Sequence, residues 1–452
     1  MAMNVFIPFS RFIGCNLRRQ LTILTEYRTF LSAAYRCEEA WNRRLQHPLI
    51  QNIKPNDYMF EMDQKYRLEG KVNAIDVDLI INKIEPSNEG SLVDEVEDLV
   101  HRLRRSPETV KTLPSTPHSV LRVLLEAGHT QVLLKILSDP LNYGVFPDYY
   151  TSNLLMDTFL EKKDYTAAAR VASCNMLQED FGPTLTQMLT LASCFSYISS
   201  DDNQPWEDYT PQLEEPEEEV KIRIRYLRNP YFDDHFDLKD PYHIVGKTLA
   251  WVSPLISGVI GISCEILGWA LYNKWAELEA TLNRASKRTE AVAASVVSKV
   301  KDLLAVCDDV ETRERITSAI SKLEAVDSKV AELDLGLLIA DAVQKAVIES
   351  EQKFIESQEA RYICWEKTRE EEFQHQLDTY RKQKLLKEIE SKKEDLAKRE
   401  EVIFFFDNRE KLEMLLPDKK RKYYPKRRSL IYKKKQPRQL DEGYIPPEVI
   451  RR

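Results

Sequence analysis

This sequence has little glycine and no closely spaced cysteine pairs, and both facts narrow the choice of fold. Only 12 of the 452 residues are glycine, whereas charged residues make up 31%. Long stretches rich in Ala, Glu, Lys and Leu favour helix. The seven cysteines are scattered without a CxxC motif, which argues against a zinc site and against a secreted disulfide framework. The sequence therefore predicts an all-α protein whose cysteines are buried free thiols.

A long uninterrupted apolar segment is also missing. The most apolar stretch, residues 249–271, contains Pro254 and Gly258, whereas a membrane span needs about 20 largely uninterrupted apolar residues. We expect a buried helix pair that is broken near these two residues. The preceding Gly246-Lys247-Thr248 matches only the end of a phosphate-binding loop, because Pro241 stands where the first glycine is required. The sequence therefore predicts neither a membrane span nor a nucleotide site.

Motifs for catalysis are absent from the sequence as well. It contains no nucleophile–base pair, no metal-ligand spacing and no intact phosphate loop. The nearest cluster, Asp233-Asp234-His235, is explained more simply as a surface loop. We therefore predict no catalytic residues, no metal site, no cofactor and no enzymatic activity.

What the sequence does contain is a repeated helical hairpin. Residues 144–171 predict a turn, a helix, a polar break and a second helix, because Pro147 favours a turn and apolar residues then recur at helical spacing. Gly128, 35 residues before Lys163, lies in the break of a similar unit, and a looser copy surrounds Gly90. Hairpins of this size bury their apolar faces only by stacking on neighbours. The alternative is an ordinary helical bundle with chance spacing.

The chain changes character after a further predicted helix over residues 184–199. Residues 201–241 form an acidic insertion, within which apolar and basic residues alternate from Val220 to Tyr226 and predict one strand. Residues 242–350 predict a continuing helical array. Residues 351–401 predict a long charged helix, because their apolar stripe is too thin for full packing.

The C-terminal extension, residues 402–452, includes a strongly basic segment without any acid. Residues 419–438 hold eleven Lys or Arg, and Pro425 and Pro437 oppose helix formation, so we expect a disordered or extended tail. Such a tail can follow phosphates while its tyrosines stack on bases, at roughly 1–3 kcal/mol each. A nuclear localisation signal and a solvated tail are the alternatives. The predicted RNA-binding residues are Lys419, Lys420, Arg421, Lys422, Tyr423, Tyr424, Lys426, Arg427, Arg428, Tyr432, Lys433, Lys434, Lys435 and Arg438.

The N-terminus is a second segment that lacks acidic residues. Three arginines and several apolar residues precede the first acid, Glu26, as in an amphipathic mitochondrial transit peptide. We expect residues 1–31 to direct import into the mitochondrial matrix, with cleavage near Phe30 or Leu31. The alternative is an irregular N-terminus without a targeting role.

The best-preserved hairpin carries a family pattern. Gly144-Val145-Phe146-Pro147-Asp148, followed by Thr151, Asn153, Leu155 and Asp157, resembles the pentatricopeptide repeat, a 35-residue helical hairpin. Residues 143–169 are similar to a pentatricopeptide-repeat-type family, that of the mitochondrial small ribosomal subunit proteins numbered twenty-seven. Shorter stretches agree in the same order at residues 30–35, 101–108 and 243–249.

The resemblance implies a fold and a set of partners. It implies an α-solenoid of degenerate pentatricopeptide-like hairpins over residues 32–200, followed by long helices, in a structural protein of the mitochondrial small ribosomal subunit. The implied partners are small-subunit rRNA and neighbouring ribosomal proteins, with no membrane span, no homo-oligomer and no catalysis. The alternative is a pentatricopeptide-type RNA-processing or translation factor that acts transiently on transcripts.

The base-reading positions of this chain depart from the pattern of sequence-reading relatives. In those proteins the fifth and last residues of each repeat select one base. This chain offers Asn153 with Pro183 and His118 with Asp148, and the proline has no side-chain donor. We therefore do not expect one base to be read per repeat. We call these four residues the reading positions.

Overall fold

The computed structural model describes residues 29–85, 90–200, 206, 238, 240–287, 291–305, 310–325, 330–331 and 333–432. Only the backbone is described for residues 90–92, 94, 310, 330–331, 412–413 and 415–432. The chain divides into two compact units, of which the first ends at Phe373 and the second begins at Gln374. Nearly all of the predicted transit peptide lies outside the described residues. The same is true of the acidic insertion with its predicted strand.

The part of the chain before residue 200 is built from helices joined by short turns. Short 3₁₀ segments occur at Ala33–Arg36, Arg44–Gln46 and Pro107–Lys111. The α-helices described in this part are α1 (Glu38–Arg43), α2 (Pro48–Gln51), α3 (Pro55–Glu69), α4 (Ala74–Lys83), α5 (Gly90–Arg105), α6 (Ser115–Ala127), α7 (Thr130–Ser138), α8 (Pro140–Tyr143), α9 (Tyr149–Glu161), α10 (Tyr165–Leu177) and α11 (Thr184–Ser199).

Helices also dominate the described chain from Pro241 onward. A 3₁₀ turn at Ser253–Leu255 and two short strands, β1 (Val292–Ala293) and β2 (Val330–Ala331), interrupt them. The strands pair in parallel, with Val292 opposite Val330. The helices are α12 (Pro241–Val252), α13 (Val259–Leu271), α14 (Trp275–Lys287), α15 (Ala294–Ala305), α16 (Val310–Glu324) and α17 (Leu335–Tyr432). The all-α prediction is confirmed.

Local chemistry explains where the best-preserved hairpin begins and turns. The Asp148 carboxylate accepts a hydrogen bond from the Thr151 backbone N–H at 2.9 Å and caps α9. Asp164 caps α10 in the same way, through the Ala167 N–H at 3.0 Å. Gly128 ends α6 with a φ of 78°, a conformation that glycine adopts without strain. The predicted hairpin, its polar break and the earlier break at Gly128 are all present.

The hairpins pack in two rows of helices. Helices α4, α6, α9 and α11 contact one another in that order, and α7, α10 and α12 contact in a second series. Small residues permit the close approach within the second series, because Ala167, Ala168 and Ala169 of α10 are fully buried. These are the contacts that stacked hairpins make. A superhelical solenoid of pentatricopeptide type stays a prediction.

The predicted buried helix pair is formed by α12 and α13, which cross at two glycines. A Cβ added to Gly268 would lie 2.5 Å from the Ala250 backbone nitrogen and 2.7 Å from the Gly246 carbonyl oxygen. Gly246 therefore serves close helix packing rather than phosphate binding. No helix in the described part of the chain has the length and apolarity that a bilayer crossing demands.

We expect Gly268→Ala to destabilise the protein by about 3 kcal/mol, because the new methyl group meets backbone atoms that cannot move independently. Gly128→Ala is the matched control. It adds the same methyl group into open space at a φ of +78°, at a cost of about 1 kcal/mol. Denaturant unfolding monitored by circular dichroism measures both changes. Equal losses for the two variants would show that the α12–α13 crossing tolerates a side chain.

Three predictions about the second half of the chain need correction. The long charged helix begins at Leu335 rather than residue 351, because the Asp334 carboxylate accepts from the Gly336 N–H at 3.0 Å and caps it there. It also continues through residues 402–432, which are helical rather than extended. Pro417 and Pro425 each remove one backbone hydrogen bond from this helix, while the Lys and Arg residues between and after them favour helix. Between Trp275 and Leu335 the chain is broken by the two short strands, whose pairing joins distant residues and leaves no local pattern.

The prediction of buried thiols is confirmed for four of the five cysteines that the structure describes. Cys37, Cys174, Cys194 and Cys264 are buried, and burial raises the pKa of the Cys174 thiol to about 12. Cys364 is exposed, so the prediction is wrong there. It lies on the outer side of α17, between two residues that face inward, Tyr362 and Trp365.

Candidate nucleic-acid interface and the covered reading positions

The predicted RNA-binding segment lies at the end of α17 and beyond it. The backbone of Lys419–Tyr432 is helical, while Lys433, Lys434, Lys435 and Arg438 lie outside the described residues. A helix rises about 1.5 Å per residue and an extended chain about 3.3 Å. Basic residues in a helix therefore occupy about half the length that they would occupy in an extended tail, and their positive charge is more concentrated.

The reading positions lie mostly inside the first unit, in contact with the chain itself. His118 and Asn153 are buried, and the Asn153 amide donates to the Tyr35 hydroxyl at 3.2 Å. Asp148 accepts from Arg361 of α17 at 2.8 Å, in addition to capping α9. Pro183 is exposed. Three of the four reading positions are therefore engaged by protein groups.

A hydrogen-bonded relay runs through His118. The Arg122 guanidinium donates to the Tyr362 hydroxyl at 2.9 Å, and this hydroxyl lies 3.0 Å from His118 Nε2. On the other side of the ring, His118 Nδ1 lies 2.9 Å from the Thr151 hydroxyl, which donates to Asp148. Burial lowers the pKa of His118 to about 3, so the imidazole is neutral. With the proton on Nδ1, every group in the relay has a partner.

The Asp78–Arg369 ion pair fastens α17 to α4. Arg369 Nε lies 2.6 Å from Asp78 Oδ2, and both side chains are at least 97% buried. The other Asp78 oxygen accepts from the hydroxyls of Ser115 at 2.6 Å and Thr116 at 2.8 Å. Buried charge is tolerated only with such complete pairing. The pair therefore fixes both the position and the register of α17 against the hairpins.

One face of α17 makes these contacts at regular helical spacing. We call this face the docking stripe: Phe354, Gln358, Tyr362, Trp365, Arg369 and Phe373. Tyr362 and Trp365 lie against His118, with ring centroids 5.5 and 5.2 Å away. Phe373 packs on a small apolar cluster with Ile50 and Leu79. Sequence reasoning missed this stripe, although its spacing of three and four residues is the signal of a buried helix face.

A groove of about 420 Å³ opens beside the docking stripe. Tyr150, Pro183, Thr184, Phe354 and Gln358 are among the residues that line it. Gln358 is 1% exposed, and its amide lies close to the Tyr362 hydroxyl, which it influences electrostatically.

The second unit exposes an apolar run that sequence reasoning also missed. Val402, Ile403, Phe404, Phe405 and Phe406 are consecutive, and each side chain is between 50% and 66% exposed. Successive helix positions point about 100° apart, so five of them surround the helix. The run stands between charged segments and was visible as a departure from their composition. Large exposed apolar patches mark contact surfaces.

These features define a class of protein: a helical scaffold that presents surfaces to other macromolecules. Across the described residues, no group of His, Cys, Asp and Glu side chains could hold a metal ion. The chain belongs to the family of mitochondrial 28S ribosomal protein S27, whose family model matches residues 2–395. That family is a structural, non-enzymatic component of the small subunit of the mitochondrial ribosome, which places the protein in the mitochondrial matrix. The match extends well past the stretches that carry the resemblance in the sequence.

Proposed function

We propose that the chain binds small-subunit rRNA through residues 419–438 and neighbouring ribosomal proteins through its apolar surfaces, in support of mitochondrial translation. The observation that carries the RNA contact is a segment of eleven basic residues without any acid that spans the end of α17. Neutralising phosphates with such residues releases counterions and supplies affinity that does not depend on base sequence. Within this proposal, the apolar run at Val402–Phe406 is a protein contact, because large exposed apolar patches mark protein-contact surfaces.

The engaged reading positions support an RNA contact at the tail rather than on the hairpins. A base that was to be read at His118 or Asn153 would have to displace Tyr362 or Tyr35. Displacing Tyr362 would also leave the Arg122 guanidinium without that buried acceptor. Unpaired buried groups of this kind cost about 1–3 kcal/mol each. We infer that the hairpins provide scaffold and that the tail provides RNA affinity.

Sucrose-gradient sedimentation of mitochondrial lysate tests the proposal. The chain should sediment with the small subunit and should remain there after a wash at about 0.5 M salt, because protein contacts resist screening better than exposed charges do. A chain that is found only in light fractions would instead be a transient RNA-processing or translation factor.

A variant that ends at Lys411 separates the two kinds of contact. It keeps the docking stripe and the apolar run but lacks the basic segment. It should join the subunit at low salt and leave it at lower salt than the full chain does. Unchanged salt resistance would contradict the assignment of RNA contacts to residues 419–438.

A further inference from the structure

Three successive backbone N–H groups near the start of the described chain donate hydrogen bonds to carboxylates. The Phe30 N–H donates to Asp157 Oδ1 at 2.8 Å, and the Leu31 N–H donates to the same oxygen at 3.3 Å. The next N–H, that of Ser32, donates to Glu351 of α17 at 2.7 Å. Backbone amides are neutral donors and can be satisfied by neutral acceptors. Two negatively charged carboxylates therefore face three successive neutral donors.

Asp157 is the unusual member of this group. Its side chain is 6% exposed, and no lysine, arginine or histidine of the described residues lies within 4 Å of its carboxylate. The nearest cation, Arg36, pairs with Glu161 at 3.5 Å, one turn along α9. Burial raises the pKa of Asp157 to about 6. A buried carboxylate without a cation is unfavourable, so a missing positive partner would explain its presence.

The sequence supplies a candidate for that partner. Cleavage of the predicted transit peptide is expected near Phe30 or Leu31, and the backbone nitrogens of these two residues lie beside Asp157. Hydrolysis of the Thr29–Phe30 bond by a matrix peptidase consumes one water. It leaves a carboxylate on Thr29, which departs with the leader, and an ammonium group on the Phe30 nitrogen. That nitrogen is the atom that already lies 2.8 Å from Asp157.

We propose that Asp157 is the binding site for the α-ammonium of a processed N-terminus that begins at Phe30. The ion pair formed on cleavage joins the new N-terminus to α9, and the adjacent Ser32–Glu351 bond joins it to α17. Processing therefore strengthens the contact between the N-terminal segment, the hairpins and the docking stripe. Phe30 itself packs on the apolar core and keeps water from the pair.

The test compares three forms: the full chain, a chain that begins at Phe30, and the same shorter chain with an acetylated N-terminus. The free ammonium should raise the melting temperature of the Phe30 chain by about 2–4 °C over the acetylated chain. Asp157→Asn should abolish this difference. Glu161→Gln is the matched control, since it removes an exposed carboxylate from the same helix and should leave the difference intact. Equal melting temperatures for the free and acetylated chains would overturn the proposal.

The pH dependence of the Asp157→Asn effect provides a signature that simple loss of a hydrogen bond would not. In the full chain the pKa of Asp157 is raised to about 6, so its protonation favours the folded state. The free-energy cost of burying Asp157 therefore decreases as the pH falls through about 6. In the Phe30 chain the ammonium lowers the carboxyl pKa, and Asp157 stabilises most at neutral pH and loses its effect in acid. The groups facing it, Glu161 and Arg36, are the same in both forms. Identical pH profiles would contradict the ion pair.

Mass spectrometry of the protein from mitochondria completes the test. An N-terminus at Phe30 supports the proposal. An N-terminus at any other residue would overturn the proposal of a site for Phe30, whatever happens to subunit association. Of those other residues, Leu31 would still place its α-ammonium beside Asp157, because its nitrogen lies 3.3 Å from the same oxygen.

Discussion

Replacing Arg369 by methionine is expected to lower the free energy of unfolding by about 3–5 kcal/mol, because the substitution leaves the Asp78 carboxylate buried without a cation. Methionine fills a similar volume, so loss of packing contributes little. Only the hydroxyls of Ser115 and Thr116 remain to stabilise Asp78. Chemical denaturation of the full chain measures the loss. Hydrogen exchange should locate it in residues 335–373 of α17 and in the hairpins beneath them.

Arg361→Met is the matched control for this prediction. It removes the same side chain from the same helix, and the ion pair it breaks, with Asp148, is partly exposed at 45% and 33%. Pairs of that exposure contribute about 0–1 kcal/mol. Adding Asp78→Asn to Arg369→Met should recover part of the stability, because it removes the stranded charge. Similar losses for Arg369→Met and Arg361→Met would show that the buried pair does not fasten α17.

Replacing five basic residues of the tail by glutamine is expected to reduce the affinity of the protein for small-subunit rRNA by about 10²–10³-fold near 0.1 M salt. The slope of log affinity against log salt should fall by about 3 to 4, since each lost phosphate contact removes about 0.7 from it on a single strand. Filter binding or fluorescence anisotropy across a salt series provides both quantities. The variant changes to glutamine Lys419, Lys420, Arg421, Lys422 and Lys426.

A second variant controls for net charge. It changes five lysines of the same helix that stand among acidic residues, and its formal charge equals that of the tail variant. We expect its salt slope to fall by less than about 1, because neighbouring acids already compensate these lysines. Equal slopes for the two variants would show that net charge, rather than the acid-free segment, determines RNA affinity. The control residues are Lys382, Lys384, Lys387, Lys392 and Lys393.

The parts of the fold that were predictable from the sequence are those with local causes. Helix α11 occupies residues 184–199 as predicted, and the hairpin of α9 and α10 turns where Lys163 and Asp164 interrupt the apolar spacing. The break between α12 and α13 follows from Pro254 and Gly258 in the same way. Caps, turns and helical periodicity act over a few residues, so a single sequence displays them.

The parts that were not predictable depend on distant partners. Asp78 and Arg369 are separated by 291 positions, and neither residue reveals in isolation that it is buried. The parallel pairing of Val292 with Val330 is equally non-local. The docking stripe is an intermediate case. The helical spacing of its residues is visible in the sequence. However, arginine, glutamine and tyrosine in a charged segment are typical of a solvated helix face, and only their partners in the structure show that they are buried.

For the candidate RNA interface, the sequence predicted only which residues are involved, from their composition. Eleven bases without an acid identify residues 419–438 as a phosphate-binding segment, and no structural argument was needed for that step. Composition did not predict the helical backbone through Tyr432. Nor did it show that His118 and Asn153 are engaged by the chain, because their partners Tyr362 and Tyr35 lie 244 and 118 residues away.

Protein–RNA crosslinking on assembled, salt-washed small subunits tests whether the tail, rather than the hairpins, contacts rRNA. After ultraviolet irradiation and digestion, peptides that carry a crosslinked nucleotide are identified by mass spectrometry. We expect crosslinks to rRNA from residues 419–438, with the tyrosines prominent, and none from His118 or Asn153. Crosslinks confined to the hairpins, with none from the tail, would contradict the claim that RNA affinity resides at the C-terminal end of the chain.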